Sequence, residues 1–182
     1  MRVLVPLAEG FEEMEGVILL DVLRRARIET VAAAMGESRE VPASRGVTVV
    51  ADTTWSAVDP SRFDLIAIPG GMGGTRRLQQ DARLLKALRE FHGAGKPLAA
   101  ICAGPLVLQS AGLLMGRTVT CHPGVADELK DAKRLDARVV EDGNLITSQG
   151  PGTSFAFALA IVRRLAGEAV ANQVAGGLIL QG

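Results

Sequence analysis

This 182-residue chain contains only two cysteines and two histidines, and this limits the kinds of site that it can form. The cysteines, Cys102 and Cys121, are too few for a disulfide framework, and we therefore expect a reducing, cytoplasmic setting. The cysteines are well separated, and the histidines, His92 and His122, lie far from each other along the chain. Because this spacing does not match a zinc ligand set, no metal site is predicted.

The chain also lacks an excess of charge, because 20 lysines and arginines balance 20 aspartates and glutamates. This balance gives no electrostatic reason to expect a nucleic acid or a membrane surface as partner. No stretch of about 18 apolar residues runs without charge, as a membrane-spanning helix requires. Only Met1 and Arg2 precede the first apolar run, so we expect no signal peptide.

What the chain does have is a 48% share of hydrophobic residues, enough for a well-filled core. Its length suits one domain over residues 1–182 that buries roughly 70% of the surface of the unfolded chain. Strands are predicted at residues 2–8, 29–34, 47–51, 64–68, 97–101, 118–121 and 138–148. Helices are predicted at residues 11–27, 81–92 and 105–111, from a Thr153 cap to 165, and from 168 onward.

Strands that alternate with helices predict a doubly wound α/β domain. Several predicted strands are continuously apolar, which is typical of a parallel sheet covered by helices on both faces. In such sheets, sites form beyond the carboxyl ends of the strands. Segments 9–15, 69–74, 102–105 and 122–124 follow predicted strands, so a carboxylate cluster, a glycine turn, a thiol and an imidazole should share one edge.

Cys102 is the leading candidate for chemistry. It follows the apolar run 98–101 and precedes Gly104 and Pro105 at a predicted helix start, which is the strand–turn–helix order of a nucleophile elbow. Amide groups and the positive end of the helix dipole at such a turn favour the thiolate. The alternative is a buried cysteine that acts as a small hydrophobic residue, and the turn context favours the reactive thiol.

Two titratable residues are candidates to assist Cys102. Glu15 shares a face of its predicted helix with Phe11 and Ile18, so its carboxyl must be neutral, hydrogen-bonded or paired. A protonated Glu15 could donate a hydrogen bond to the sulfur. His122 ends a predicted strand and could act as a general acid or base. The alternative for Glu15 is a carboxylate that the helix dipole favours, and the alternative for His122 is a hydrogen-bonded loop histidine. The residues alone leave both alternatives open.

The remaining reactive residues take a plainer interpretation. Cys121 should point away from His122 in an alternating strand, which favours a packed core thiol over a resolving thiol. The glycine run 70–74 lacks the Gly-Lys-Ser/Thr ending of a phosphate loop, and Arg76 replaces the third glycine of a dinucleotide fingerprint. We interpret it as a turn whose N–H groups, with that of Ala103, could form an oxyanion hole for Cys102 chemistry.

Five segments resemble the ThiJ/PfpI superfamily, and most closely the branch that holds the parkinsonism-associated protein deglycase and bacterial YajL. They are EEME at 12–15, IPGG at 68–71, AAICAGP at 99–105, TCHP at 120–123 and TSQGPGT at 147–153. The resemblance implies a flavodoxin-like, class I glutamine amidotransferase-like sandwich, with a mostly parallel sheet flanked by helices. It also implies a homodimer that needs no cofactor.

By motif position, the resemblance implies Cys102 as nucleophile, Glu15 as its hydrogen-bonding partner and His122 as the nearby imidazole. Gly71 and Ala103 fall where the family places oxyanion-stabilising amides. The resemblance also matches Arg45 to an arginine near the dimer interface and site entrance, and Arg25 to another arginine of that region.

The family's activities predict a cysteine-dependent glyoxalase or deglycase that acts on methylglyoxal- or glyoxal-type carbonyls and their early adducts, in protection against carbonyl and oxidative stress. Peptidase members carry a histidine directly after the nucleophile, and Ala103 at that position disfavours a peptidase. One alternative is a redox-sensing stress chaperone that uses Cys102 oxidation without turnover. Another is a binding module without chemistry, for which the apolar segment 176–180 is a candidate interface.

Overall fold

A computed structural model describes residues 1–180, so the last two residues of the predicted domain lie outside the described part. The strands are β1 (Arg2–Leu7), β2 (Glu29–Ala34), β3 (Glu40–Pro42), β4 (Thr48–Val50), β5 (Thr53–Thr54), β6 (Leu65–Ile68), β7 (Leu98–Ile101), β8 (Thr118–Val119), β9 (Lys133–Arg134), β10 (Val139–Asp142) and β11 (Leu145–Ser148). The helices are α1 (Glu13–Arg25), α2 (Met72–Gln80), α3 (Ala82–Gly93), α4 (Pro105–Ser110), α5 (Ser154–Ala166) and α6 (Glu168–Gly177).

Seven strands form the central sheet in the order β10-β11-β7-β6-β1-β2-β5. The β10–β11 pair is antiparallel and the other neighbours are parallel. Ile68 pairs with Ala100, and Ile101 pairs with Ser148, so β6, β7 and β11 end at nearly one level. The loops that follow these three strands therefore lie side by side at the carboxyl edge of the sheet.

Helices cover both faces of this sheet. Leu98 and Ala100 of β7 pack in the cluster formed with α2, α3 and α4, whereas Ala99 and Ile101 pack in the cluster formed with α1, α5 and α6. Because successive strand residues point to opposite faces, a strand covered on both sides must be apolar at every position. The predicted α/β sandwich with a mostly parallel sheet is thereby confirmed.

Local signals explain where two of the helices begin. The side chain of Glu12 caps α1 by accepting a 2.7 Å hydrogen bond from the Glu15 amide, and Asp81 caps α3 through the amides of Arg83 and Leu84. The predicted cap of α5, Thr153, makes no capping hydrogen bond through its side chain. Its hydroxyl instead bonds within the preceding loop, where backbone groups compete for it.

Two predicted strands lie outside the central sheet. The strand at 47–51 is β4, and it pairs antiparallel with β3 in a two-stranded ribbon. The strand at 118–121 shortens to β8, which pairs with β9 in a second small sheet. In each case a nearby segment satisfies the backbone hydrogen bonds, and strand propensity alone does not identify that partner.

Two other expectations change in detail. The strand at 138–148 divides into the β10–β11 hairpin, because Gly143 adopts the left-handed φ of 60° that a tight turn requires. The glycine run 70–74 contains a turn but also opens α2, whose N-cap is Gly71. Glycine is a poor helix former, which concealed this helix in the sequence. No helix in the described residues is long and apolar enough to cross a membrane.

Candidate active site

Cys102 occupies a strained turn directly after β7. Its φ is 65°, in the left-handed region that non-glycine residues rarely adopt. Its amide donates a 3.0 Å hydrogen bond to the Ser148 carbonyl, and its own carbonyl accepts one of 2.9 Å from the His122 amide. Backbone contacts on both sides thus hold the turn, as strain at a functional site requires, and the side chain is half-buried. This geometry matches the predicted nucleophile elbow.

Two backbone amides lie near the sulfur of Cys102. The N–H groups of Gly71 and Ala103 act to lower the pKa of the thiol. The turn that presents them requires glycine, because a Cβ added at Gly70 would lie 2.6 Å from the Cβ of Cys102. Gly71 adopts a φ of 87°, which also favours glycine. The predicted pair of oxyanion-stabilising amides is therefore brought together beside the sulfur.

Glu15 lies beneath the thiol with 1% of its surface exposed. Its Oε2 accepts a 2.7 Å hydrogen bond from the Gly70 amide. Its Oε1 is buried and has no hydrogen-bond partner among the described residues. Glu15 is thus a buried carboxyl with one hydrogen-bonded oxygen, as its place on the apolar face of the predicted helix indicated.

Burial raises the pKa of Glu15 to about 7, because the carboxylate loses its hydration, and the hydrogen bond from the Gly70 amide and the neighbouring Cys102 thiol oppose this rise. Burial and the Glu15 carboxylate raise the pKa of Cys102 to about 12 against the lowering by the two amides. The sequence prediction that the turn favours the thiolate is therefore outweighed, first by burial and then by the Glu15 carboxylate. A proton on Glu15 removes the repulsion and allows its carboxyl to donate to the sulfur, so the two groups compete for one proton.

His122 also reaches the site. Its exposed ring lines the same cleft as Cys102, and its Nδ1 accepts a 3.0 Å hydrogen bond from the Gly124 amide. In the neutral ring this bond assigns the proton to Nε2, which leaves an N–H available to a substrate. The three residues that sequence analysis nominated for catalysis therefore lie at one edge of the sheet.

A cleft of about 740 Å³ opens above Cys102, and Arg45 lines it together with Pro42 and Ser44. This wall of the cleft begins at Pro42, the last residue of β3. It is anchored by Glu13, whose carboxylate accepts hydrogen bonds from the Ser44 hydroxyl at 2.9 Å and the Arg45 amide at 2.8 Å. This anchor was not predicted from the sequence. Glu13 and Ser44 are 31 residues apart, and no local pattern pairs them.

The structure does not bring Arg25 to this cleft. Arg25 forms a 2.7 Å ion pair with Asp21 one turn earlier and lines a separate cavity against α6. Arg25 therefore lies outside the Cys102 cleft, because α1 runs away from Cys102 after Glu15, and its predicted place near a dimer interface stays a prediction. His92 contacts Asn144 at the opposite end of the sheet. Within residues 1–180, no group of His, Cys, Asp or Glu has the arrangement of a metal site.

Cys121 is fully buried on the other face of the sheet from Cys102. It packs in the cluster with α2, α3 and α4, whereas Cys102 contacts the cluster with α1, α5 and α6. Burial raises the pKa of Cys121, against a lowering by the guanidinium of Arg134. This environment fits the packed core thiol favoured from the sequence.

Residues 1–164 of the chain match the DJ-1/PfpI family. The chain belongs to this family. It is 44% identical to the Parkinson disease protein 7 homolog of Danio rerio over 184 residues, which cover 99% of this chain and 97% of that protein. It is 34% identical over 167 residues to a protein of Pyrococcus abyssi named as a deglycase, with 91% and 99% covered.

Some DJ-1/PfpI relatives are much longer. DJ-1 homolog B of Arabidopsis thaliana shares 46% identity over 91% of this chain, but the chain spans only 38% of that protein. The chain likewise spans 44% of DJ-1 homolog A from the same plant. Among solved structures, Drosophila melanogaster DJ-1beta superposes with a TM-score of 0.96 at 40% identity, covering 100% of this chain and 98% of that one. These similarities confirm the predicted branch of the family.

Proposed function

We propose that this protein is a cysteine-dependent glyoxalase or deglycase that acts on methylglyoxal- or glyoxal-type carbonyls and their early adducts. One observation carries the proposal: Cys102 stands on a strained turn between two amide donors and the buried carboxyl of Glu15, open to a cleft. A nucleophile, a proton carrier and an oxyanion site in contact are the parts that addition to an aldehyde requires. The deglycase name of the Pyrococcus abyssi relative supports the substrate class.

The first step joins the Cys102 sulfur to the aldehyde carbon of methylglyoxal. Glu15 takes the thiol proton as the C–S bond forms, and the carbonyl electrons move to oxygen. The amides of Gly71 and Ala103 stabilise this oxyanion until it takes a proton and becomes a hemithioacetal. The amides lie near the sulfur, so the oxygen on the carbon that the sulfur attacks would form within their reach.

The second step moves a proton from the former aldehyde carbon to its neighbour. Glu15 or His122 removes the proton from the hemithioacetal carbon, and the electron pair forms an enediol with the adjacent carbonyl. Return of a proton to the neighbouring carbon yields the thioester of lactate. Water then cleaves the C–S bond, which releases lactate and restores the thiol. The sum is methylglyoxal plus water to lactate, so no oxidant, reductant or cofactor takes part.

The test is lactate formation from methylglyoxal by the purified chain without glutathione. Cys102→Ser should abolish turnover, Glu15→Gln should lower it at least tenfold, and Cys121→Ser should leave it unchanged, because the Cys121 thiol lies outside the cleft. Wild-type protein without turnover, or Cys102→Ser with full turnover, would sink the proposal. Gel filtration of the same samples tests the homodimer that we include in it.

The second candidate function is a redox-sensing stress chaperone that works through Cys102. The solved structure of oxidized Toxoplasma gondii DJ-1 superposes on this chain with a TM-score of 0.93 at 40% identity. In this chain the partnerless Oε1 of Glu15 could bond an oxygen on the sulfur. Each peroxide molecule would add one oxygen to the thiolate and leave as water. Intact-mass spectra after mild peroxide test this, and protein without a two-oxygen adduct on Cys102 would remove the candidate.

A further inference from the structure

One side chain from α4 holds the far end of the segment that carries His122. Nε2 of Gln109 donates a 2.9 Å hydrogen bond to the Glu128 carbonyl. Its Oε1 accepts hydrogen bonds of 2.8 Å from the Lys130 amide and 3.2 Å from the Asp131 amide. A single half-buried amide thus binds three backbone groups of residues 128–131.

The near end of this segment is equally constrained. The Gly124 amide donates to Nδ1 of His122, and the Val125 amide donates 3.0 Å to the His122 carbonyl. A 3-10 helix, Pro123–Glu128, then leads directly to the backbone bound by Gln109. The imidazole and the Gln109 contacts are therefore the two ends of one continuous arc of backbone, residues 122–131.

Gln109 also belongs to the helix that follows the nucleophile. Pro105 starts α4 three residues after Cys102, so the helix connects the thiol turn to the contacts that hold the histidine segment. Arg76 of α2 forms a second tether through a 2.6 Å ion pair with the Glu128 carboxylate. Both of these side chains are more than 40% exposed, and such surface pairs contribute little. Backbone hydrogen bonds from the His122 amide to the Cys102 carbonyl and from the Gly116 amide to the Asp131 carbonyl also hold the segment, and among side chains the main polar tether is Gln109.

We propose that Gln109 is a positioning residue that fixes His122 in the cleft that it shares with Cys102, by tethering residues 122–131 to α4. The consequence for turnover rests on the proposed function. Without Gln109, the buried side chains of Val125 and Leu129 keep the segment on the protein. Water can satisfy the exposed Lys130 and Asp131 backbone. The fold therefore persists while the arc loosens.

The direct test is the NMR signature of the two histidine rings in the purified chain. Gln109→Met keeps the length of the side chain and removes its three hydrogen bonds. The His122 ring signals should shift or broaden, and the His92 signals should stay. Asn144→Ala is the matched control, because the Asn144 amide contacts Nδ1 of His92 at the other end of the sheet. It should give the reverse pattern. Unchanged His122 signals in Gln109→Met would overturn the proposal.

The kinetic test separates positioning from general destabilisation. Gln109→Met should lower kcat for methylglyoxal about threefold to tenfold with little change in KM, and Gln109→Glu, which keeps both acceptor bonds, should lose less. In a His122→Ala background, Gln109→Met should cost nothing further. An equal loss in both backgrounds would contradict positioning through His122. Wild-type protein without turnover would instead sink the proposed function, and the ring signals would still decide the role of Gln109.

Discussion

Glu15 and Cys102 lie on either side of Gly70. The Gly70 amide donates a 2.7 Å hydrogen bond to Oε2 of Glu15, and a Cβ added at Gly70 would contact the side chains of both Glu15 and Cys102. This contact places a carboxyl with 1% exposure next to a thiol, and burial raises the pKa of both groups. A buried carboxyl makes the folded state hold its proton more tightly than the unfolded chain does. The site therefore makes stability depend on pH.

The first prediction concerns the pH dependence of stability that Glu15 confers. Its folded pKa of about 7 lies above the ordinary value of 4.5, so ionisation opposes folding. Stability from this group is present below pH 4.5 and is lost as the pH rises toward 7, by roughly 3 kcal/mol in all. Denaturant unfolding should be measured against pH for Cys102→Ser and for the double variant Cys102→Ser, Glu15→Gln. Between pH 4.5 and 7 the two unfolding free energies should diverge, because the double variant does not lose the stability that Glu15 loses on ionisation. Parallel pH profiles would contradict the assignment.

Glu13, two residues earlier, should behave in the opposite way. Burial acts to raise its pKa, but hydrogen bonds that include the Ser44 hydroxyl and the Arg45 amide outweigh it and hold the pKa below the usual value. Its contribution to stability is therefore present at neutral pH and lost as the pH falls below 4.5. Glu13→Gln should destabilise the protein at pH 7 and less at acidic pH. If the destabilisation by Glu13→Gln instead grew larger at acidic pH, the Glu13 carboxylate would not be the anchor of the cleft wall at residues 42–45.

A third prediction follows from the space around Gly70. In Gly70→Ala the new Cβ would lie 2.6 Å from the Cβ of Cys102 and 2.8 Å from Oε2 of Glu15, so the thiol turn must move. We expect a loss of about 1–3 kcal/mol in unfolding free energy and at least a tenfold change in iodoacetamide alkylation of Cys102. Gly36→Ala is the control, because no atom lies within 4 Å of its added Cβ. Equal stability and equal alkylation in the two variants would refute the packing argument.

The edge at which the site forms was predictable because it depends on strand order and direction alone. Apolar runs 64–68 and 97–101 predicted buried parallel strands, and the residues after them had to meet at the carboxyl edge. Cys102 and the glycine turn followed from that placement, and the motifs that resemble the family singled out Gly71 among the glycines. His122 reaches the same edge although its predicted strand shortens to β8, outside the central sheet. Each of these inferences used signals within a few residues of one another.

The parts that could not be predicted depend on contacts between distant segments. Glu13 holds the wall at residues 42–45 through Ser44, which is 31 residues away in the chain. Gln109 holds the segment that carries His122 through Glu128, which is 19 residues away. The pKa of Cys102 depends on the summed burial and charge around it, which no local pattern contains. Arg25 shows the reverse case: Asp21 four residues before it is a local signal for an ion pair on the surface of α1.

The last prediction concerns the two cysteines as a disulfide pair. Their backbones are close, since the His122 amide, next to Cys121, bonds the Cys102 carbonyl at 2.9 Å. Their side chains, however, pack in clusters on opposite faces of the sheet, and a disulfide requires Cβ atoms that point toward each other. Burial also raises the pKa of both thiols, which keeps the attacking thiolate scarce.

Native protein treated with a thiol oxidant should therefore form no Cys102–Cys121 bridge, whereas the same protein in denaturant should form it readily, because the unfolded chain can close the short loop between them. Peptide mass mapping after alkylation distinguishes the two states, and Cys121→Ser provides the blank. A disulfide that forms in native protein faster than the chain unfolds would show that the Cys102 side chain can move around the edge of the sheet to reach Cys121. In that case Cys121 would be a resolving thiol, and the redox-sensing candidate would gain over the enzyme.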